Sequence, residues 1–219
     1  MLWLCSDQAS FAPGITVSVD GGWSQHEMRA QTTKRLPGEE GIWVFICGDL
    51  MVFSIFFIVL LFYRSQNLPV FAQSQQTLSQ SFGVLNTLLL LTSSLFVALA
   101  VRALRCEPAP NRELATRLVG AAIACGAGFV VVKGFEWSAK ISAGHTLSSN
   151  DFYMFYFMYT GIHLLHVLVG LLVLSLVLMV TRRPQLEPAA VRMVEAGGVF
   201  WHLVDLLWVF LFALFYLLK

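Results

Sequence analysis

Long apolar runs separated by short polar stretches set the pattern of this chain. They fall at about 42–63, 82–104, 114–140, 152–181 and 197–218. Each is long enough to cross a hydrocarbon core of about 30 Å as a helix rising about 1.5 Å per residue. The pattern predicts an all-α, integral membrane five-helix bundle. The polar positions inside the runs recur at helical spacing. Along the last run and the turn leading into it, Glu195, Gly198, His202 and Asp205 fall within one narrow stripe, with Trp201 and Trp208 on the opposite side. In the first run Phe45, Asp49, Val52 and Phe56 share a face, and in the fourth Tyr159, His163, His166 and Gly170 do. Lys133, Glu136 and Lys140 line one side of the third run and are expected to pair there. Asn86, Thr87, Thr92, Ser93 and Ser94 in the second run, and Gly120, Gly126 and Gly128 in the third, suit close helix contact. Ionised groups in hydrocarbon are costly, so these stripes should face other helices, water or a partner.

Residues 1–36 are polar and irregular and read as a disordered cytoplasmic tail ahead of a transmembrane domain at 37–219. Nothing before Met28 is periodic, so a start at Met28 is also expected. No basic stretch precedes an apolar one as in a cleaved leader. Basic residues set the expected orientation. Arg29, Lys34 and Arg35 precede the first run. Arg102, Arg105, Arg112 and Arg117 lie between the second and third, and Arg182, Arg183 and Arg192 between the fourth and fifth. The opposite side has only Arg64, Lys133, Lys140 and Lys219. The N-terminus is therefore expected in the cytoplasm and the C-terminus outside.

Composition agrees with the pattern. The chain is 57% hydrophobic and 12% charged, against about 25% charged in soluble domains. A net charge of +1 without a basic cluster gives no footing for nucleic acid. Cys5, Cys47, Cys106 and Cys125 show no metal-ligand spacing, and Cys47 and Cys125 read as packing residues.

The chemistry lies in Asp49, Glu136, His163, His166, Glu195, His202 and Asp205. Three readings compete for them. Metal or haem ligation has the right residue types, but the Glu-x-x-His pairs of di-metal bundles are absent. A proton or ion path is the default for ionisable groups at membrane depth. The third is structural: the groups bond one another, pack the bundle, and hold lipid headgroups or a partner subunit. Residue types and spacing leave the last two open. No nucleophile–base set and no open metal site is legible, so no catalysis is expected from this chain alone. Asp49 lies about 10 Å into the first span from the cytoplasmic side, and His163 and His166 about 17–21 Å into the fourth from the other. The depths overlap, and an Asp49–His166 hydrogen bond is expected.

Several segments resemble a known family. Trp201-His202-Leu203-Val204-Asp205-Leu206-Leu207-Trp208 resembles the WHFVDxVW segment that closes subunit III of haem-copper oxidases, with Glu195 at that family's upstream glutamate. Thr160-Gly161-Ile162-His163-Leu164-Leu165-His166-Val167 with Gly170 is similar to its TGxHxxHVxxG helix. Leu85-Asn86-Thr87 and Leu91-Thr92-Ser93-Ser94 resemble its LNTxxLLxSS helix. Glu136-Trp137 stands at its Glu-Tyr, and Gly48-Asp49-Leu50-Met51-Val52-Phe53 at its Ser-Glu-xxx-Phe segment, with Asp for the glutamate. Mitochondrial-type members have seven helices, of which this chain resembles the last five. Leu36-Pro37-Gly38-Glu39-Glu40-Gly41-Ile42-Trp43-Val44-Phe45 is most similar to the five-helix NorE-like branch associated with nitric oxide reductase.

The resemblance implies a non-catalytic accessory subunit of a haem-copper oxidase or nitric oxide reductase complex, in a respiratory chain of a bacterial inner membrane, with denitrification as its setting in the NorE-like branch. It implies no cofactor held by this chain. Haem and metal would sit in the partner catalytic subunit, and phospholipid would bind between helices. Arg102, Arg105, Arg182 and Arg183 are the headgroup candidates. Support of stability and proton uptake is the implied role. The alternative is a free-standing transporter or proton channel, but five unlike spans show none of the internal repeats common in transporters.

Overall fold

The structure, a computed structural model, describes residues 40–105, 111–182 and 188–218. Residues 1–39, on which the tail and the Met28 start were read, lie outside them, as does Arg183. The described chain is helical: α1 (Glu40–Gln66), α2 (Leu68–Gln76), α3 (Gln80–Arg105), α4 (Arg112–Ser142), α5 (Asp151–Thr181) and α6 (Pro188–Phe212). A one-turn π-helix, Ala213–Leu217, ends α6. Among the described residues five helices (α1, α3, α4, α5 and α6 with its π turn) are long and apolar enough to cross a membrane, so the protein is an integral membrane helical bundle.

The helix ends follow local chemistry. Asn111 and Asn150 cap α4 and α5, each side chain accepting the backbone N–H three residues on, at 3.0 Å. Short polar linkers had been expected between the first and second spans, but α2 stands there. Pro69 sits in its first turn, where a missing N–H costs nothing. α2 docks onto the start of α5. Phe71 meets Phe152 edge-on at 5.7 Å, Asn150 Nδ2 donates to Ser74 Oγ at 2.9 Å, and Thr77 Oγ1 pairs with Tyr153 OH at 2.7 Å.

α3, α4, α5 and α6 close a ring in which α3 and α5 each pack on both α4 and α6; α1 lies outside it, against α5 and α6. The centre of the ring is built around Trp201, fully buried on α6. It fits because α4 and α5 each present a glycine. A methyl at Gly126 would stand 2.9 Å from Trp201 Cη2, and one at Gly170 2.7 Å from Trp201 Cε3. Gly120 and Gly128, also read as contact glycines, do not serve this way: nothing lies within 4 Å of a Cβ at Gly120, and at Gly128 the nearest atom is an ordinary 3.7 Å away.

α1 is held along a narrow line. Ile46, Phe53 and Leu60 are buried, while Phe45 and Val52, expected on the inner face, are 53% and 47% exposed. The line is shifted because α1 touches the ring on one side only. Phe53 meets the His166 ring at 5.6 Å and Phe56 stacks on Tyr159 at 5.3 Å. Cys47 is exposed and Cys125 half-buried, so neither is the tightly packed residue expected.

Candidate functional site

The seven polar residues do not form one cluster. The helices sort them into separate contacts, each joining different elements.

The first joins α1 to α5. His166 Nε2 lies 3.2 Å from Asp49 Oδ1, and its Nδ1 lies 2.8 Å from the Ile162 carbonyl. A carbonyl only accepts, so Nδ1 carries a proton. Nε2 and Oδ1 must then hold one proton between them. Either an imidazolium donates to a carboxylate, or a carboxylic acid donates to a neutral ring. Without that proton two acceptors would face each other. The side chains are 19% and 11% exposed, and Asp49 Oδ2 has no partner among the described residues.

The second joins α4, α5 and the π turn, and it is the most buried. Lys133 and Glu136 side chains are 1% and 2% exposed, with Nζ 3.0 Å from Oε2. Lys133 Nζ also donates to Tyr156 OH and Tyr216 OH, both at 3.1 Å. Tyr156 OH donates to Glu136 Oε1 at 2.9 Å, and Tyr216 OH donates to the same oxygen. The ammonium lies 5.0 Å from the centre of the Trp208 ring. All three ammonium donors, both hydroxyls and both carboxylate oxygens are occupied, which is the condition for a buried ion pair to be tolerated. The expected Lys133–Glu136 pairing is present, but Lys140 turns away to the Thr77 carbonyl. Sequence alone did not show Tyr156 and Tyr216 as members. Their one signal was aromatic spacing in an apolar run, which equally fits interfacial tyrosines.

The third joins α3 to α6. The Glu195-Gly198-His202-Asp205 stripe does face one helix. Arg105 Nε lies 2.8 Å from Glu195 Oε1. A Cβ at Gly198 would be 3.4 Å from Val97. Ser94 Oγ is 2.5 Å from His202 Nδ1. Asp205 is buried, and its Oδ1 has no partner among the described residues. His202 itself is exposed at the outer edge of this seam.

His163 stands apart from His166 despite its spacing of three. It points into the ring, fully buried, between Phe129 (ring centres 5.8 Å apart) and Trp208 (5.3 Å), with neither nitrogen bonded among the described residues. Among those residues no group of three or more His, Cys, Asp or Glu gathers as a metal site. Of the headgroup candidates, Arg102 and Arg182 are exposed, while Arg105 is 53% exposed and paired to Glu195. A cavity of about 410 Å³ at the α2–α3 end is lined by Gln75, Gln76, Gln80 and Tyr216 among others. It touches the Lys133–Glu136 knot only through Tyr216.

Five apolar helices joined by such contacts are shared by many membrane proteins, and the comparison with known families decides among them. The family described as cytochrome c oxidase subunit III matches residues 24–219. This chain belongs to the cytochrome c oxidase subunit III family. The match begins upstream of the boundary at 36 read from the motifs. The chain is 25% identical to quinol oxidase subunit 3 of Bacillus subtilis (strain 168), over 81% of this chain and 85% of that one. It is 25% identical to cytochrome bo(3) ubiquinol oxidase subunit 3 of Buchnera aphidicola, over 89% and 91%. It is also 26% identical to heme-copper oxidase subunit I+III of Aeropyrum pernix, over 80% of this chain but only 22% of that longer one.

Proposed function

We propose that this chain is a non-catalytic accessory subunit of a haem-copper oxidase or nitric oxide reductase complex in a bacterial inner membrane. The observation that carries this reading is the family match across all five membrane helices. The relatives named above are third subunits of oxidases, and in one of them a subunit I and a subunit III are named as a single protein. The catalytic partner would supply haem and metal. The polar contacts support this over the channel alternative. They are separate knots tying pairs and triples of helices, and in the largest every N–H and O–H donor is spent within the knot.

Within that role the Asp49–His166 pair is the group suited to proton exchange, because it holds one proton between two bases at the α1–α5 seam. Exposed Arg102 and Arg182 are suited to phospholipid headgroups. The NorE-like branch, and with it nitric oxide as the partner's substrate, rests on residues 36–45 and Gly48-Asp49. Its test is to compare O2 and NO consumption by membranes with and without this chain. Loss of NO consumption at unchanged O2 consumption is expected; loss confined to O2 would place the subunit with an oxidase.

A further inference from the structure

His202 is the twelfth residue of the 27-residue apolar stretch Val191–Leu217. At about 1.5 Å per residue it sits near mid-membrane, about 17 Å from the start of that stretch. Its Nδ1 is taken by Ser94, but the ring is exposed and Nε2 has no partner among the described residues. In either tautomer Nε2 is a donor or an acceptor that must be met. Acyl chains offer neither function, and headgroups lie at the membrane surfaces, out of reach. On the same face, Leu206 of α6 and Leu91 and Leu95 of α3 are 45%, 46% and 56% exposed, forming an apolar collar. A polar atom inside an apolar collar at mid-membrane is the pattern of a helix–helix contact whose second helix comes from elsewhere.

We propose that the α3–α6 face seats a transmembrane helix of the catalytic subunit, which offers an uncharged hydroxyl or amide side chain to His202 Nε2. This rests on the function proposed above. The occupant is uncharged because an ionised side chain is costly at this depth and the leucines of the collar offer it no counter-charge. It is a protein because no part of a lipid presents a hydroxyl or amide at mid-membrane.

The test uses the full chain in its native membrane, with a photoreactive benzoylphenylalanine at Leu206. A second copy of the experiment places it at Val131, 56% exposed on α4 across the ring from α6. Irradiation should give an adduct containing the haem-bearing subunit from position 206 and none from 131. An adduct from 131 and not 206, an adduct of two copies of this chain, or lipid adducts alone from 206 while haem still co-purifies would each overturn the proposal and leave the accessory-subunit reading standing. If the unmodified chain co-purifies with no haem, both readings fall together. A second measurement removes the bond itself. His202→Phe should lower haem retained per tagged chain about tenfold and His202→Gln should restore most of it, taking one interhelical hydrogen bond as roughly a factor of ten. Equal retention by the Phe and Gln variants, with unchanged thermal unfolding, would contradict the role of His202.

Discussion

The decisive residues are the ones that hold charge inside the bundle. Lys133 and Glu136 are tolerated because every donor and acceptor is met, so removing one partner leaves the other uncompensated. Glu136→Leu is expected to destabilise the protein by about 3–5 kcal/mol, whereas the double variant Lys133→Met with Glu136→Leu should lose clearly less. Thermal unfolding in detergent separates the two, and a double variant as unstable as the sum of the singles would argue against the pair. Asp49 behaves differently, being partly accessible. Asp49→Ala strands His166 Nε2 and should cost about 1–3 kcal/mol. Asp49→Asn can still donate an amide N–H to Nε2 and should stay within about 1 kcal/mol of the parent. If proton exchange is its work, Asn should nonetheless slow turnover of the complex. An Asn variant with unfolding and turnover both unchanged would make the pair purely structural.

At the scale of elements, the spans were legible because twenty or more apolar residues in a row have few folded alternatives. The Asp49–His166 contact was legible as well, since depth along two antiparallel spans can be counted from the helix rise. Of the Lys133 knot only the Lys133–Glu136 pairing was. The rest needs Tyr216, which is carried on a π turn that no periodicity announces, and Tyr156 from another helix. α2 was hidden because nine residues are too few for a periodic signal, although Pro69 at its start was one cue. The glycines show the same limit. Gly126 reads like Gly120 and Gly128 in sequence, yet only Gly126 meets Trp201. Gly126→Ala and Gly170→Ala should therefore each lose about 1–3 kcal/mol through overpacking, and Gly120→Ala should lose nothing measurable. Midpoints of thermal unfolding read this directly; an equal effect at all three positions would mean that Trp201 is not the wedge.

For the whole molecule, a closed ring of four helices has α1 leaning on its outside, and it is tightly packed at the Trp201 centre and polar at its seams. The bias of basic residues toward one set of loops should place the N-terminus inside and Lys219 outside. A reporter enzyme active only outside the inner membrane should therefore work when fused after Lys219, and an inactive fusion that is stably made would reverse the orientation. The accessory role itself is tested by purifying the tagged chain in mild detergent and recording a reduced-minus-oxidised haem spectrum of the product. A haem signal in fixed proportion to this chain, travelling with a larger catalytic subunit, is the predicted result. A chain that purifies intact, folded and without haem from membranes that contain the oxidase would contradict it.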